Sequence, residues 1–497
     1  MLYRLKDAGY QAFLVGGCVR DLMLGIEPKD FDVATNALPE QVKRLFRNCR
    51  LIGRRFRLAH VFYGRDIIEV ATFRAASAPA QGEETVADAE GEEGEASGAD
   101  LGEAEEFALD AEDGLEDGAL APAAVEPLPV RTPGDAVRAA HDAPSRREAR
   151  DAADAPDTER VLDEHGRILR DNMYGTIDDD VWRRDFTANA LYYNIADFSI
   201  WDYVDGAEDV RARRLKLIGD PETRYREDPV RLLRGARFEA KLGFTFDAAT
   251  AEPIPRIRTL LADVPPARLF DETLKLFLTG HGAASLRILR AHDLLAHLLP
   301  SVDRYLLAHP GSLVEKLLVR GLENTDERVR ADKPVTPTFL FALLLYGPIA
   351  AAIEALPPSR WHEMSSVLDC CDLAVREAQQ HMSIPRRFAL GVREMFAMQP
   401  RLEQPRGRRA LRLLEHPRFR AGYDLMLLRA ELGLASSEMG RWWTRLQEVS
   451  AEERAELADQ LPKGGSHAAS GSGADAGAEG APARRGPRRR RRRPARG

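Results

Sequence analysis

Leu14-Val15-Gly16-Gly17-Cys18-Val19-Arg20-Asp21, followed shortly by Asp30-Phe31-Asp32, decides how the rest of this chain is read. A short apolar run ends in two glycines, a helix-forming segment begins, and two carboxylates return two positions apart. Side chains at i and i+2 of a strand share a face. Asp30 and Asp32 can therefore converge on one point, with the interleaved Phe31 and Val33 expected to bury. Gly16 and Gly17 let the backbone come close to a bound group, and amides opening a helix favour an anion. Mg²⁺ takes one or two carboxylates together with phosphate oxygens and water. An isolated Asp-x-Asp is more simply a turn or a helix cap. The glycine pair before it and the apolar residues within it favour a phosphate site beside a metal site, the equipment for chemistry on a nucleoside triphosphate.

Outward from this stretch, residues 1–74 alternate short helices and strands. Strands are expected at Ala12–Val15, Asp30–Ala34 and Ile67–Phe73, and helices at Cys18–Leu24 and Pro39–Phe46, the second opened by Asn36. Glu69 sits in an otherwise apolar strand, where an acid either faces solvent at an edge or completes an acidic cluster. Residues 75–160 are rich in Ala, Glu, Asp, Gly and Pro, have little to bury, and are expected to be disordered. Strands return at Ala190–Asn194 and Ile200–Tyr203. Beyond Asp209 apolar residues recur at helical spacing, as in Leu232, Leu233, Ala236, Phe238 and Leu242.

Charge is distributed unevenly. The net charge of −8 averages residues 76–130, with 17 acids and no Lys or Arg, against residues 484–497, with nine arginines and no acid. The remainder is neutral, so a folded protein carries one acidic and one basic appendage. A chain of 497 residues exceeds one compact core. The expected organisation is an α+β head over 1–208, interrupted by the acidic insert at 75–160. An all-α neck (209–275) and body (276–460) follow, then a disordered Arg-rich tail (461–497). No apolar run is long enough to span a bilayer, the first residues lack the pattern of a secretory signal, and Cys18, Cys49, Cys370 and Cys371 show no zinc-like spacing. A cytoplasmic protein with reduced thiols is expected.

Two further constellations carry chemistry. In Arg183-Arg184-Asp185-Phe186-Thr187-Ala188-Asn189-Ala190, Asp185 is either a helix N-cap or an acid beside arginines suited to a triphosphate and ribose. In Arg226-Glu227-Asp228-Pro229-Val230-Arg231-Leu232-Leu233-Arg234-Gly235-Ala236-Arg237, Asp228 is placed as N-cap with Pro229 first in the helix. Arg231, Arg234 and Arg237 then share a face, either a solvated stripe or one turned toward base and phosphates.

Together, in this order, these motifs resemble the class II nucleotidyltransferase superfamily, which contains bacterial poly(A) polymerases and tRNA CCA-adding enzymes. Leu51-Ile52-Gly53-Arg54-Arg55-Phe56-Arg57-Leu58-Ala59-His60-Val61, Asp263–Phe270, Leu414–Arg420 and the arginine-rich end resemble the poly(A) polymerase branch. The resemblance implies a template-independent RNA adenylyltransferase that joins AMP from ATP to RNA 3′ ends. Asp30 and Asp32 would hold two Mg²⁺ ions, Asp185 would be a third essential acid near the ribose, and Glu69 would support the cluster. Gly16, Gly17, Arg20 and Arg184 would contact the triphosphate, and Asp228, Arg231 and Arg234 would read and hold the nucleotide. The helical remainder would hold mRNA and other RNAs without a sequence code, and RNA-decay proteins are possible partners. The rival readings are a CCA-adding enzyme and a non-catalytic RNA-binding protein.

Overall fold

The computed structural model describes residues 1–53, 57–64, 66–75, 128–132, 160–162, 168–171, 174–361 and 363–462. The rest of the acidic insert, the arginine-rich end and Arg54–Phe56 of the segment 51–61 lie outside the described residues.

The head is built on one mixed sheet. Its strands are β1 (Ala12–Val15), β2 (Asp32–Thr35), β3 (Cys49–Ile52), β4 (Leu58–Tyr63), β5 (Asp66–Thr72), β6 (Val130–Arg131), β9 (Leu191–Asn194) and β10 (Ser199–Asp202), while β7 (Arg160–Leu162) and β8 (Ile168–Asp171) form a separate antiparallel pair. The order across the sheet is β3-β4-β5-β2-β1-β9-β10-β6. β1 pairs antiparallel with β2 and β9, and β2 pairs parallel with β5, which requires the crossover made by helix Pro39–Leu45 and the β3–β4 hairpin.

Alternation along the central strands separates two cores, one on each face. Ala12, Val33, Val42, Phe46, Val61 and Val70 pack together with the N-terminal helix Leu2–Asp7. Phe13, Val15, Ala34, Phe73, Tyr192 and Trp201 pack beneath helix Ile177–Arg183. Asp32 belongs to this second face, because its cross-strand partner is Val15.

Three local readings shift. β2 begins only at Asp32, so the strand alternation does not reach Phe31, which is 40% exposed instead of buried. Asn36 does not open the next helix; its Oδ1 accepts from Gln11 N at 2.8 Å, and Gln41 Oε1 caps the helix by accepting from Leu38 N at 2.7 Å. Within the stretch read as structureless, Val130–Arg131 adds an edge strand parallel to β10, anchored by Ile200 N donating to Pro129 O at 3.0 Å.

Beyond the head the described chain is helical apart from the short parallel pair Arg214–Leu215 and Thr245–Phe246. Helix Val230–Leu242 forms the neck. A single apolar cluster runs from Cys18, Val19 and Phe186 in the head through Leu232, Leu233 and Leu289 to Leu340 and Leu428 in the body. Continuous burial of this kind opposes independent motion of head and neck, because separating them would expose apolar surface. A smaller cluster around Met398, Leu413, Tyr423 and Trp443 closes the C-terminal end. All four cysteines are free and buried. No single helix among the described residues is long and apolar enough to cross a membrane.

Candidate active site

Strand register assembles the first part of the site. Asp32 on β2 lies opposite Glu69 on β5, and Glu69 lies opposite His60 on β4. The three side chains form a row across one sheet face, with His60 Nε2 3.6 Å from Glu69 Oε2. Glu69 therefore joins the acidic cluster, and β5 is an interior strand, so the edge alternative falls away. The packed surroundings of Asp32 raise its carboxyl above the usual range; Glu69 and Asp30 add to this, and Arg184 opposes it. Both aspartates reach solvent, Asp32 at the first position of β2 and Asp30 just before it. Among the described residues no third His, Cys, Asp or Glu completes a metal-holding group with these two aspartates. The donor set at hand is two carboxylates carrying repulsion that a cation would relieve.

Gly16 caps helix Gly17–Met23 with φ of +77°, a backbone that L side chains rarely adopt. A Cβ on Gly16 would lie 3.4 Å from Arg184 Nη1, so the glycine also admits that guanidinium beside the turn. Arg184 is fixed by Asp180 Oδ2 at 3.0 Å and by donation from Nε to the Tyr192 hydroxyl at 2.8 Å. These partners hold its charge firmly against the cost of burial.

The second part of the site is a relay that joins head to neck. Lys241 Nζ lies 3.6 Å from Asp21 Oδ2, and Asp21 Oδ1 accepts from Arg20 at 2.5 and 2.8 Å. Arg20 Nη1 donates to Asn189 Oδ1 at 2.5 Å, and Asn189 Nδ2 donates to Asp185 Oδ1 at 3.2 Å. Asp185 Oδ2 accepts twice from Arg234 of the neck helix, at 2.5 and 2.8 Å. Burial by itself would raise the Asp185 carboxyl, but Arg234 and the N–H donors of Phe186 and Asn189 hold it below the usual range. Phe238 packs edge-on against Phe186 at 5.7 Å and carries Arg20, Arg234 and Arg237 over its ring at 5.4, 5.7 and 4.8 Å.

Several expected roles change with this geometry. Arg20 is 2% exposed and bonded to Asp21 and Asn189, so the structure does not bring it to an open phosphate site. Asp185 does not cap a long helix; it bonds Phe186 N ahead of the short 3₁₀ turn Thr187–Asn189. The Arg231, Arg234 and Arg237 face is not a solvated stripe. Arg231 is 3.2 Å from Glu227 and donates to the Arg224 carbonyl, Arg234 holds Asp185, and Arg237 lies 3.5 Å from Glu272. The neck helix begins one residue late for an Asp228 cap, with Pro229 at the cap position. Asp228 Oδ2 instead accepts from Arg268 at 3.0 Å, and its buried Oδ1 has no hydrogen-bond partner. An unsatisfied buried carboxylate oxygen is costly and fits a ligand donor that would complete it.

Nothing local in the sequence marks the roles of Asn189, Asp21, Asp180, Tyr192 and Phe238. Asn189 and Asp21 stand inside the motifs that carry the site, but their partners are distant in sequence and no spacing shows them.

Family profiles align with this architecture. One described as "Poly A polymerase head domain" matches residues 12–103 and 136–216. "Probable RNA and SrmB- binding site of polymerase A" matches 243–306, and "Polymerase A arginine-rich C-terminus" matches 359–496. A solved tRNA nucleotidyltransferase complexed with a primer tRNA and an incoming ATP analog aligns over 90% of this chain and 99% of that one, with a TM-score of 0.51 at 18% identity. The fold is that of a nucleotidyltransferase, a mixed-sheet head followed by a helical body. Poly(A) polymerase I of Escherichia coli O6:H1 (strain CFT073) is 39% identical over 471 residues, 93% of this chain and 84% of that protein. A CCA-adding enzyme of Lactobacillus helveticus is 26% identical over 288 residues, 58% of this chain and 51% of that protein. The chain belongs to the poly(A) polymerase I family: it is a polynucleotide adenylyltransferase that adds poly(A) tails.

Proposed function

We propose that Asp30 and Asp32 hold Mg²⁺ for AMP transfer from ATP to the 3′-hydroxyl of mRNA and other RNAs. The observation that carries this reading is the strand register that sets Asp32 opposite Glu69, with Asp30 two residues before it, so that like charges gather on one face. A carboxylate in that state is stabilised by a hard cation with oxygen ligands. When bound, Mg²⁺ would activate the 3′-hydroxyl and neutralise charge on the α-phosphate and leaving pyrophosphate.

The chain's own residues divide the remaining work. Glu69 supports the pair from the neighbouring strand, and His60 partners Glu69 on its far side. Gly16 makes the left-handed turn while its own amide donates to Leu191 O at 3.1 Å, so phosphate is met by the amides that open the helix at Gly17, and Arg184 supplies fixed positive charge beside the aspartates. Asp185 and Arg234 are a bonded pair at the head–neck joint, positioned to meet the ribose side of the nucleotide. Arg20 acts on that pair through Asn189 as a positioning residue. The unpartnered Oδ1 of Asp228 would accept a hydrogen from the base edge, and Arg231, held by Glu227 and the Arg224 carbonyl, lies on the same helix start. Selection of ATP then comes from protein groups and not from a template strand. On this reading the enzyme works in the cytoplasm with reduced thiols, and RNA-decay proteins are candidate partners.

Primer extension with Mg²⁺, a short labelled RNA and each nucleoside triphosphate in turn tests it. The expected result is a long ladder with ATP alone, lost on removal of Mg²⁺. A few additions that require CTP on a tRNA-like end would overturn the choice of substrate.

A further inference from the structure

The body carries a second concave site far along the chain from the catalytic aspartates. A cavity of about 1090 Å³ opens between helices Tyr346–Glu354, Arg386–Glu403 and Arg409–Leu414. That volume is at the upper end of small-ligand sites, which run to about 1,000 Å³, and suits more than one nucleotide. Arg401, Arg406, Arg409 and Arg412 line it, all exposed, and none of these guanidinium groups has an ion-pair or hydrogen-bond partner among the described residues. Arg429 forms a fixed floor, donating to Tyr346 Oη at 2.9 Å, Gln399 Oε1 at 3.0 Å and Glu403 Oε1 at 2.5 Å. Glu403 is thereby neutralised, which leaves Glu354 against four free cations. Trp361, 38% exposed, lies on the wall with its Nε1 tied to Leu356 O at 2.8 Å, so the ring is held in place.

One more contact points to the occupant. The last helix among the described residues, Ala451–Asp459, is tied to the start of the cavity helix by Arg408 and Asp459 at 3.2 Å. The arginine-rich sequence 484–497 therefore follows a helix anchored at the cavity's edge.

We propose that this cavity binds single-stranded RNA upstream of the 3′ end, with phosphates on Arg401, Arg406, Arg409 and Arg412 and a base stacked on Trp361. Free cations combined with a held aromatic ring are the chemistry of sequence-tolerant single-strand binding. The inference rests on RNA being the substrate and adds where a growing tail is gripped away from the reaction.

The test uses the full chain and fluorescence anisotropy with a long oligo(A), across a salt series. The double variant Arg409→Ala with Arg412→Ala removes two unpartnered exposed side chains and keeps good helix formers. It should weaken binding about tenfold and flatten the salt slope by about 0.7 per lost phosphate contact. Trp361→Leu should weaken binding by about tenfold, the lower part of the range for one lost stack, with the salt slope unchanged. AMP incorporation on a very short primer should keep its wild-type kcat in both variants. Unchanged affinity in both would overturn the proposal. So would a Trp361→Leu protein that binds normally, or a cavity that retains an acidic peptide but not oligo(A). Failure of the wild type to extend any primer would count against the catalytic reading alone, because the affinity measurements remain interpretable.

Discussion

Asp32 and Asp185 are both carboxylates of the head, and their surroundings push them in opposite directions. Asp32 is crowded by Glu69 and Asp30 with Arg184 in opposition, and its carboxyl is raised. Asp185 is buried deeper, yet two bonds from Arg234 and donors from Phe186 and Asn189 hold its carboxyl low. Burial raises both, so the neighbours decide the sign. The difference separates a group left among like charges from one already neutralised by the protein. On the proposed reading a bound cation would remove the cost that Asp32 carries, whereas the Asp185–Arg234 pair already joins head to neck.

The strongest way to break this comparison is to neutralise the first group. Asp32→Asn or Asp30→Asn should lower AMP incorporation by at least about a hundredfold, the scale for removing one preorganised electrostatic group. The Asp32→Asn protein should melt no lower than wild type without ligand. A raised folded pKa means that the carboxyl's contribution is present below its unfolded pKa and lost as pH rises through the folded value, so at neutral pH the ionised form already disfavours the fold. Near-wild-type extension, measured in single turnover, would sink the cation assignment.

Removing the compensating charge from the second group should act on stability. Arg234→Ala leaves a buried carboxylate unpaired and should cost about 3–5 kcal/mol, read by urea denaturation. The lowered folded pKa of Asp185 means its contribution is present above the unfolded carboxylate value and lost as pH falls through the folded one. Without Arg234 burial dominates, and acid unfolding should move to higher pH. A variant as stable as wild type at every pH would show that the pair does not fasten the joint.

Smaller effects sharpen the contrast. Asp228→Asn replaces an acceptor pair with one acceptor and one donor, and should change the preference for ATP over CTP by about tenfold, within the range for a buried hydrogen bond gained or lost. Unaltered competition between the two nucleotides would remove Asp228 from base reading. Glu69→Gln deletes a charge that raises Asp32 and should extend activity toward lower pH. An unmoved acid limb in the pH–rate profile would show that Glu69 and Asp32 are uncoupled.

Much of this architecture is legible in the chain itself. Ala12–Val15, the glycine turn and Leu191–Asn194 with Ser199–Asp202 follow from apolar runs ending at glycine or polar turns, because strand and turn preferences act within a few residues. The readings that shifted concern edges. Phe31 is exposed because β2 starts two residues later than expected, at Asp32, and Asn36 is drawn away by Gln11, a partner across the β1–β2 pair. The arginine stripe of the neck helix shows its spacing in the sequence and conceals its partners, since Asp185 and Glu272 lie on other elements.

The sequence alone determined the parts and their order: a strand–glycine–helix turn, paired aspartates, two arginine-bearing motifs, a helical body and two appendages of opposite charge. Periodicity and local chemistry suffice for these, because each is written within a few turns of chain. Only the tertiary structure decided which charges are satisfied. Register placed Glu69 beside Asp32, and the packing of neck against head joined Arg234 to Asp185. A folded cavity also left Arg401, Arg406, Arg409 and Arg412 without partners among the described residues. Electrostatic energy depends on distance and burial in space, and chain separation records neither.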